Sequence, residues 1–375
     1  MISTISTQVE RPIRPRHDEP RHDDKADQAD AQRRDQADLE ADLLDDSHGL
    51  LPVSVVVVNF NAGEVLDDCL RSVLSQARQV VLVDNASDSR GFEPVVARFA
   101  GNGRLSVVRS AFNGGYAYGC NLGIAACTEP TILLLNPDCV AAPGSIESMC
   151  AVLNQEPSVG MVGGLITYPD GTEQGGGRRA VPTPWRSFVR SCGLARFSRR
   201  WPKLFNDFCL HLQPRPTQPI SVEAISGACT LVKREAIEDV GMMDEGYFLH
   251  CEDLDFCVRF RNQGWDIRFV PDAPVMHHKG VCSRNRPLFV EWHKHKGMVR
   301  FYRKHFRRHY PAGLMGLVVL GVWVRFGAVA SRLIARRLAA GMVAVPATVA
   351  RRRRVSDGKV AASRRRLVSA GTLSS

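Results

Sequence analysis

The sequence predicts an α/β protein with a Rossmann-like, mostly parallel sheet, and three observations carry that expectation. Between residues 51 and 135, short apolar runs dense in β-branched residues alternate with amphipathic stretches of helical length. The gaps between runs leave room for crossover helices, which parallel strands require. Amide, acidic and glycine residues gather directly after the runs, where open α/β sheets bind ligands at the carboxyl ends of their strands.

Ser54–Val58 (SVVVV) reads as a strand buried on both faces. Glu64–Gln76 predicts a helix with Val65, Leu66, Cys69, Leu70, Val73 and Leu74 on one side. A second strand follows at Gln79–Val83, a helix at Glu93–Ala100 and a third strand at Leu105–Arg109. Tyr116–Cys127 predicts a helix and Thr131–Leu135 a fourth strand. From Tyr168 to about Val222 the periodicity dissolves into glycines, prolines and tryptophans among arginines, the composition of a long active-site excursion with short helices. Order resumes at Ala228–Val232, with helices from Arg234 and over Glu252–Gln263, then a strand at Trp265–Val270.

With 375 residues, 44% of them hydrophobic, the chain can bury a sizeable core in one large domain. Its formal charge of +10 is unevenly spread. Residues 1–50 carry 13 acidic and 7 basic residues and little that could form a core, which predicts a disordered leader. Residues 293–375 carry 19 Lys and Arg against the single Asp357, so the body between is close to neutral. Eleven scattered cysteines form no C-x-x-C pair, and the N-terminus is polar rather than a secretory signal. Both features fit reduced cytoplasmic thiols packed as small hydrophobes.

The basic tail suits an anionic membrane surface and not nucleic acid. Apolar runs interleave with its arginines, and neither zinc-finger spacing nor an aromatic RNA-binding signature accompanies them. Trp292, Val299, Tyr302, Phe306 and Tyr310 recur at helical spacing until Pro311. The run His309–Val324 holds 16 uncharged residues before Arg325, short of the roughly 20 that span a bilayer. A helix lying in the membrane interface is expected, anchored by Arg351–Arg354 and Arg364–Arg366; a helix packed on the protein's own core is the competing reading.

Five segments carry chemistry. Asn59 follows the first strand, and Asp84 and Asn85 follow the second. A carboxylate there can accept hydrogen bonds from a nucleobase or ribose, and it can equally cap the next helix. In NGGYAYGCNLG (Asn113–Gly123), Gly114 and Gly115 open a helix, so the backbone can approach a phosphate closely; a plain turn is the alternative. LLLNPDC (Leu133–Cys139) turns at Pro137 and presents Asp138, whose hard oxygens can hold Mg2+ or Mn2+ against a diphosphate. The same letters also spell an ordinary turn. HCEDLDFC (His250–Cys257) opens a helix with Glu252, Asp253 and Asp255, either partners of the helix dipole or a general base toward a hydroxyl. MHHKGVCS (Met276–Ser283) offers paired histidines after a strand, a source of metal ligands.

In combination and order, SVVVVNFN, VLVDNASDS, NGGYAYGCNLGI, LLLNPDC, Ser226–Arg259 and HHKGVCS resemble the family 2 glycosyltransferases, specifically the bacterial rhamnosyltransferase-like branch, over roughly residues 51–308. The resemblance implies a GT-A nucleotide-diphospho-sugar transferase fold with C-terminal amphipathic helices, divided into a leader (1–50), a catalytic domain (51–290) and a helical tail (291–375). It implies that Asp84 contacts the base, and that Asn59, Asn85, Asn113, Gly114, Gly115, Asn121 and Asn136 line the nucleotide-sugar site. Asp138 would be the last acid of a DXD-type metal motif, written here Asn136-Pro137-Asp138, so that one carboxylate faces the cation. His278, chosen over His277 by its spacing to Ser283, would complete the metal site. Asp253, with Glu252 beside it, would be the catalytic base of an inverting transfer. The branch further implies dTDP-rhamnose as donor and N-acetylglucosaminyl-diphospho-polyprenol as acceptor, in cell-wall or surface-polysaccharide synthesis at the inner face of the plasma membrane. A UDP-hexose donor is the nearest alternative, and a non-catalytic glycan- or lipid-binding module on the same fold is the second.

Overall fold

The computed structural model describes residues 49–198, 200–278, 280 and 286–339. The expected leader up to residue 48, the two arginine clusters of the tail and Val281–Ser283 lie outside the described residues.

Strand β1 (Leu51–Asn59), α1 (Val65–Leu74), β2 (Ala77–Asp84), α2 (Ser89–Ala97), β3 (Leu105–Arg109), α3 (Tyr116–Ala126) and β4 (Thr131–Leu135) follow the predicted alternation. Val53, Val55, Val56 and Val57 of β1 are fully buried, as expected for a strand covered on both faces. One helix starts earlier than predicted. Asp88 caps α2 by accepting a hydrogen bond from the Arg90 N–H (3.0 Å), so the helix begins at Ser89 and carries Pro94 inside it.

Between Cys139 and Thr167, where periodicity predicts no element, lie β5 (Cys139–Ala141), α4 (Ser145–Gln155) and β6 (Val159–Thr167). The sequence of β6, VGMVGGLIT, hides a fully buried strand behind three glycines. Those glycines answer to space: a Cβ on Gly164 would lie 2.6 Å from the Ala273 carbonyl oxygen, and one on Gly163 2.8 Å from Ile225. The excursion contains β7 (Arg178–Arg179), α5 (Pro184–Ser191), α6 (Pro202–Phe205), β8 (Ile220–Ser221) and β9 (Ala224–Ile225). The chain continues through β10 (Cys229–Lys233), α7 (Arg234–Val240), α8 (Glu252–Asn262), β11 (Asp266–His277) and α9 (Pro287–Phe306).

Among the described residues, nine strands form one sheet in the order β3-β2-β1-β4-β10-β6-β11-β5, with β8 on β11. The first four run parallel. β10 runs antiparallel between β4 and β6, so its start lies beside the carboxyl end of β4, with Cys229 opposite Leu135. β11 extends seven residues beyond its predicted end at Val270. A register shift between Val270 and Pro274 absorbs the Pro-Asp-Ala kink and lets the strand go on to pair with β5.

A final helix, α10 (Ala312–Ala339), corrects the sequence estimate of a short apolar run. It continues through Arg325 for 28 residues, with a mean hydropathy of 1.9 in its most apolar stretch. By length and composition alone that is enough to cross a membrane, and only 11% of the stretch is buried.

The third acid of the Glu252–Asp255 run is a structural tie. Asp255 is fully buried and accepts from Arg259 (2.9 Å), His305 (2.8 Å) and the Tyr247 hydroxyl (3.3 Å), with Lys304 at 2.7 Å. It thereby fastens α8 to α9. Burial alone would raise its pKa, but His305, Lys304 and Arg259 outweigh that and hold the carboxyl at about 2. A depressed folded-state pKa contributes stability that is complete above the unfolded value and lost as pH falls toward the folded one. Unfolding free energy measured with denaturant is therefore expected to drop by roughly 2 kcal/mol through this group between about pH 4 and pH 2. Asp255→Asn should cost about 3 kcal/mol at neutral pH and remove that acid dependence; a variant as stable as the parent would overturn the assignment.

Candidate active site

The described residues of every segment singled out for chemistry come to the carboxyl edge of the sheet, but the side chains divide the work differently from expectation. Asp84, 6% exposed, ends β2 and accepts from the Ser87 N–H (3.0 Å). It does not cap α2, which Asp88 does. Asn59 donates to Ser87 Oγ (3.0 Å) and accepts from the Ala62 N–H (3.2 Å), tying the turn after β1 to the loop after β2. Asn85 donates to Asn113 Oδ1 (3.1 Å) and the Gly115 carbonyl (2.9 Å) and accepts from the Gly114 N–H (3.2 Å). Asn113 in turn accepts from the Gly115 N–H (2.9 Å). These amides bracket the loops around Asp84 and the Gly114–Gly115 turn, fixing backbone shape.

Gly115, at φ 93°, opens α3, and a Cβ there would lie 2.4 Å from the Phe248 carbonyl oxygen. Asn121 is occupied elsewhere: its NH2 donates to the Met243 carbonyl (3.0 Å) and Glu245 (2.8 Å), and its oxygen accepts from the Met243 N–H (3.0 Å). That residue docks α3 onto the 243–245 loop, which corrects its assignment to the ligand site. Asn136 is held by its backbone, its N–H donating to the Ala228 carbonyl (2.9 Å).

The metal-ligand expectation needs a correction of one residue. His277, not His278, brings its ring to Asp138, with Nε2 3.2 Å from Oδ1. His278 reaches the same residue only through its backbone, donating to the Asp138 carbonyl (2.8 Å). Side chains alternate along a strand, so the bulge after Val270 decides which histidine faces the turn, and spacing to Ser283 carries no such information.

Gln174, which sequence reasoning missed, orients that ring. Its Nε2 donates to the His277 carbonyl (3.1 Å), which leaves its Oε1 to accept from His277 Nδ1–H (2.8 Å). With Nδ1 so engaged, Nε2 of His277 is left facing a carboxylate oxygen of Asp138. Two acceptors converging at 3.2 Å require a proton or a cation between them. Asp138, Cys139 and His277 place their ligand atoms within 4.8 Å of one another. Burial, and then the charge of Asp138, push the Cys139 thiol well up, and it sits 3.5 Å from the Ala228 carbonyl as a donor. One carboxylate and one imidazole therefore remain as donors, a set that fits a divalent cation sharing a ligand's phosphate oxygens.

Asp253 lies at the start of α8, where His250 (φ 68°) and Cys251 (φ 72°) both adopt left-handed backbone. Its Oδ2 accepts from the Gly227 N–H (3.2 Å) and from Arg179 Nη2, and its Oδ1 accepts from the Leu254 N–H (2.8 Å). Arg179 belongs to β7, inside the excursion, where no sequence pattern distinguishes it from its neighbouring arginines. Glu252 is 6% exposed and its Oε2 is buried with no hydrogen-bond partner among the described residues. Burial, then the adjacent Asp253, raise its pKa and favour its neutral form. The acidic pair is thus split into a buried acid and a carboxylate clamped by cation and amide.

A loop-rich carboxyl edge with an oriented imidazole–carboxylate pair and a separate clamped carboxylate suits transfer of a group from a phosphate-bearing donor. The family model for glycosyl transferase family 2 matches residues 54–241, and one for a glycosyltransferase-like family 2 matches residues 207–289. The chain belongs to the family 2 glycosyltransferases. Its α/β body with a mostly parallel sheet is the GT-A architecture the sequence predicts.

This glycosyltransferase is 32% identical over 250 residues to the N-acetylglucosaminyl-diphospho-decaprenol L-rhamnosyltransferase of Mycobacterium tuberculosis, covering 62% of this chain and 78% of that one. It is 24% identical over 243 residues to the low-salt glycan biosynthesis hexosyltransferase Agl10 of Haloferax volcanii, covering 64% and 69%. Among solved structures, a mannosyltransferase from Pyrobaculum calidifontis in complex with GDP-Man and Mn2+ superposes at a TM-score of 0.47 with 17% identity, over 81% of this chain and 85% of that one.

The Gln174–His277 lock makes a measurable claim on this glycosyltransferase. Gln174→Leu should weaken Mn2+ binding by about 10- to 100-fold, the usual effect of losing such an orienting partner, as read by electron paramagnetic resonance titration of free Mn2+. Binding as tight as in the parent would show that the amide does not position the ring.

Proposed function

We propose that this glycosyltransferase moves L-rhamnose from dTDP-rhamnose to N-acetylglucosaminyl-diphospho-polyprenol, with inversion at the anomeric carbon. The observation that carries the sugar and the acceptor is the 32% identity, over 78% of its length, to the mycobacterial L-rhamnosyltransferase whose name states that acceptor with a decaprenyl chain. The separation of the clamped Asp253 from the Asp138–His277 pair supports the chemistry.

In this reading Asp253 takes the proton from the acceptor hydroxyl as its oxygen attacks the anomeric carbon. The bond to the diphosphate breaks on the opposite face, and its electron pair leaves with the nucleotide. Arg179 and the Gly227 N–H hold the Asp253 carboxylate in position through their hydrogen bonds to Oδ2. Asp84 reads the base, and the Gly114–Gly115 backbone lets the diphosphate approach α3. Asp138 and His277 would hold Mg2+ or Mn2+, which would supply neutralisation of the charge on the leaving diphosphate. The protein works at the inner face of the plasma membrane, with residues 291–375 on the lipid side.

Two measurements test this. Asp253→Asn should lower transfer by about 10²- to 10⁴-fold while nucleotide binding stays largely intact; undiminished turnover would remove Asp253 as base. Offered a panel of nucleotide sugars with Mg2+, the enzyme should turn over dTDP-rhamnose, and brisk use of a UDP-hexose without use of dTDP-rhamnose would overturn the donor.

A further inference from the structure

We propose that Thr183–Phe205 forms a docking flap that seats the protein on an anionic lipid bilayer beside the active site. The inference requires none of the donor or acceptor assignments above, and it names a surface other than the C-terminal tail.

Between Gly175 and Asn206 the sequence has eight Lys and Arg and no Asp or Glu. Folding turns that bias into a surface with two kinds of group. Trp185, Phe188, Trp201 and Leu204 are 46–56% exposed, where a packed excursion would bury them. They are nonetheless ordered against one another. Trp185 stacks on Phe188 with ring centroids 5.6 Å apart, and Trp201 packs against Phe197 and Phe205 at 6.3 and 6.1 Å. The Trp185 Nε1–H donates to the Leu204 carbonyl (2.7 Å), which joins α5 to α6.

The cations sort by position as well. Arg186 is paired with Glu223 (2.6 Å) and Arg190 with Asp207 (2.6 Å), the bonds that fasten the flap to the body. Arg196, Arg200 and Lys203 are exposed and have no carboxylate partner among the described residues. Preformed aromatic and aliphatic groups among unneutralised cations match a headgroup region, which takes tryptophan at the acyl boundary and attracts basic side chains to its negative charge. A protein partner with an apolar surface would leave those cations unanswered.

Position gives the patch its use. Three residues separate Thr183 from β7, and Arg179 of β7 holds Asp253. On the other side, the Tyr302 hydroxyl donates to Ser187 Oγ (2.8 Å), fixing α5 to α9. That helix also carries α10 through the Trp292–Trp323 contact (5.0 Å), and α10 exposes Leu317, Leu320 and Val324. A bilayer meeting the flap is thus held within a few bonded residues of the clamped carboxylate.

Cys192, exposed at the end of α5, is a native reporter for this surface. Full-length protein labelled there with an environment-sensitive nitrobenzoxadiazole is mixed with phosphatidylcholine vesicles, with or without phosphatidylglycerol. Cys192→Ser protein treated identically supplies the background. The expected result is a blue shift and brightening on phosphatidylglycerol vesicles that salt reverses. Arg196→Gln and Lys203→Gln should each weaken it about fivefold, with an unchanged thermal unfolding midpoint. Protein that sediments with those vesicles while its label stays in a water-like environment would overturn the flap and leave the proposed reaction standing. So would a spectral shift produced by dTDP-rhamnose alone and not by vesicles, which would make the segment a lid over the donor.

Discussion

The backbone of Gly227 and Ala228 is the constraint on which the site depends. Because β10 runs against its neighbours, these residues lie at the carboxyl edge, ahead of Cys229. Their peptide groups bond outward to three different elements. The Gly227 N–H donates to Asp253 on α8, and the Gly227 carbonyl accepts from the Tyr116 hydroxyl at the start of α3 (2.9 Å). The Ala228 carbonyl accepts from Asn136 ahead of Asp138. One short turn therefore ties the clamped carboxylate, the glycine turn and the metal-ligand turn together. Gly227 also leaves no room to spare, since a Cβ there would sit 3.1 Å from Cβ of Asp253. Backbone groups near the sheet core cannot be left unbonded cheaply, so the geometry is set by the same hydrogen bonds that complete the fold.

This arrangement explains which parts were legible in the sequence. The parallel half was, because β-branched runs such as Val55–Val58 and Leu133–Leu135 are buried on both faces and announce themselves by composition. Asp84, Asp138 and Asp253 stand out in the sequence because each lies at or close to a strand or helix end whose position the pattern fixes. The antiparallel half was not. The glycines that let β6 pack beneath Ala273 and Ile225 also erase its strand signature. The bulge in β11 depends on pairing with β6, and parity along the strand then selects His277 over its neighbour. Gln174 and Arg179 come from the excursion, 103 and 74 residues from their partners, and nothing local marks them. Side chains that orient a functional group are visible only once tertiary structure brings the two together.

Among polar residues the same logic separates shape from chemistry. Asn59, Asn85 and Asn121 sit in motifs that read as ligand contacts, yet their amides bond to backbone groups and neighbouring side chains of the protein itself. An amide can donate and accept at once, which suits it to closing loops. Carboxylates cannot donate when ionised, so those at the edge must meet cations or N–H groups. Asp138 faces an imidazole whose tautomer is locked, Asp253 an arginine and an amide, and Asp255 a full set of donors. Among the carboxylates of the described residues, Glu252 alone has a buried oxygen without a hydrogen-bond partner, and there burial wins and the acid form is favoured. Three acids spaced within four residues thus have three different electrostatic environments, a distinction set by what each side chain reaches.

α9 couples these environments to the outer surface. On its inner side Lys304 and His305 bond Asp255, and Gly297 allows the helix to lie against the left-handed His250 turn, where a Cβ would come within 2.8 Å of the His250 carbonyl oxygen. On its outer side it bonds α5 through Tyr302 and carries α10 through Trp292. The strained turn that presents Asp253 is therefore held from behind by the helix that also supports the two apolar surfaces. Tilting α9 would act on both holds of α8 at once, the Asp255 tie and the packing at His250, because one rigid helix supplies them.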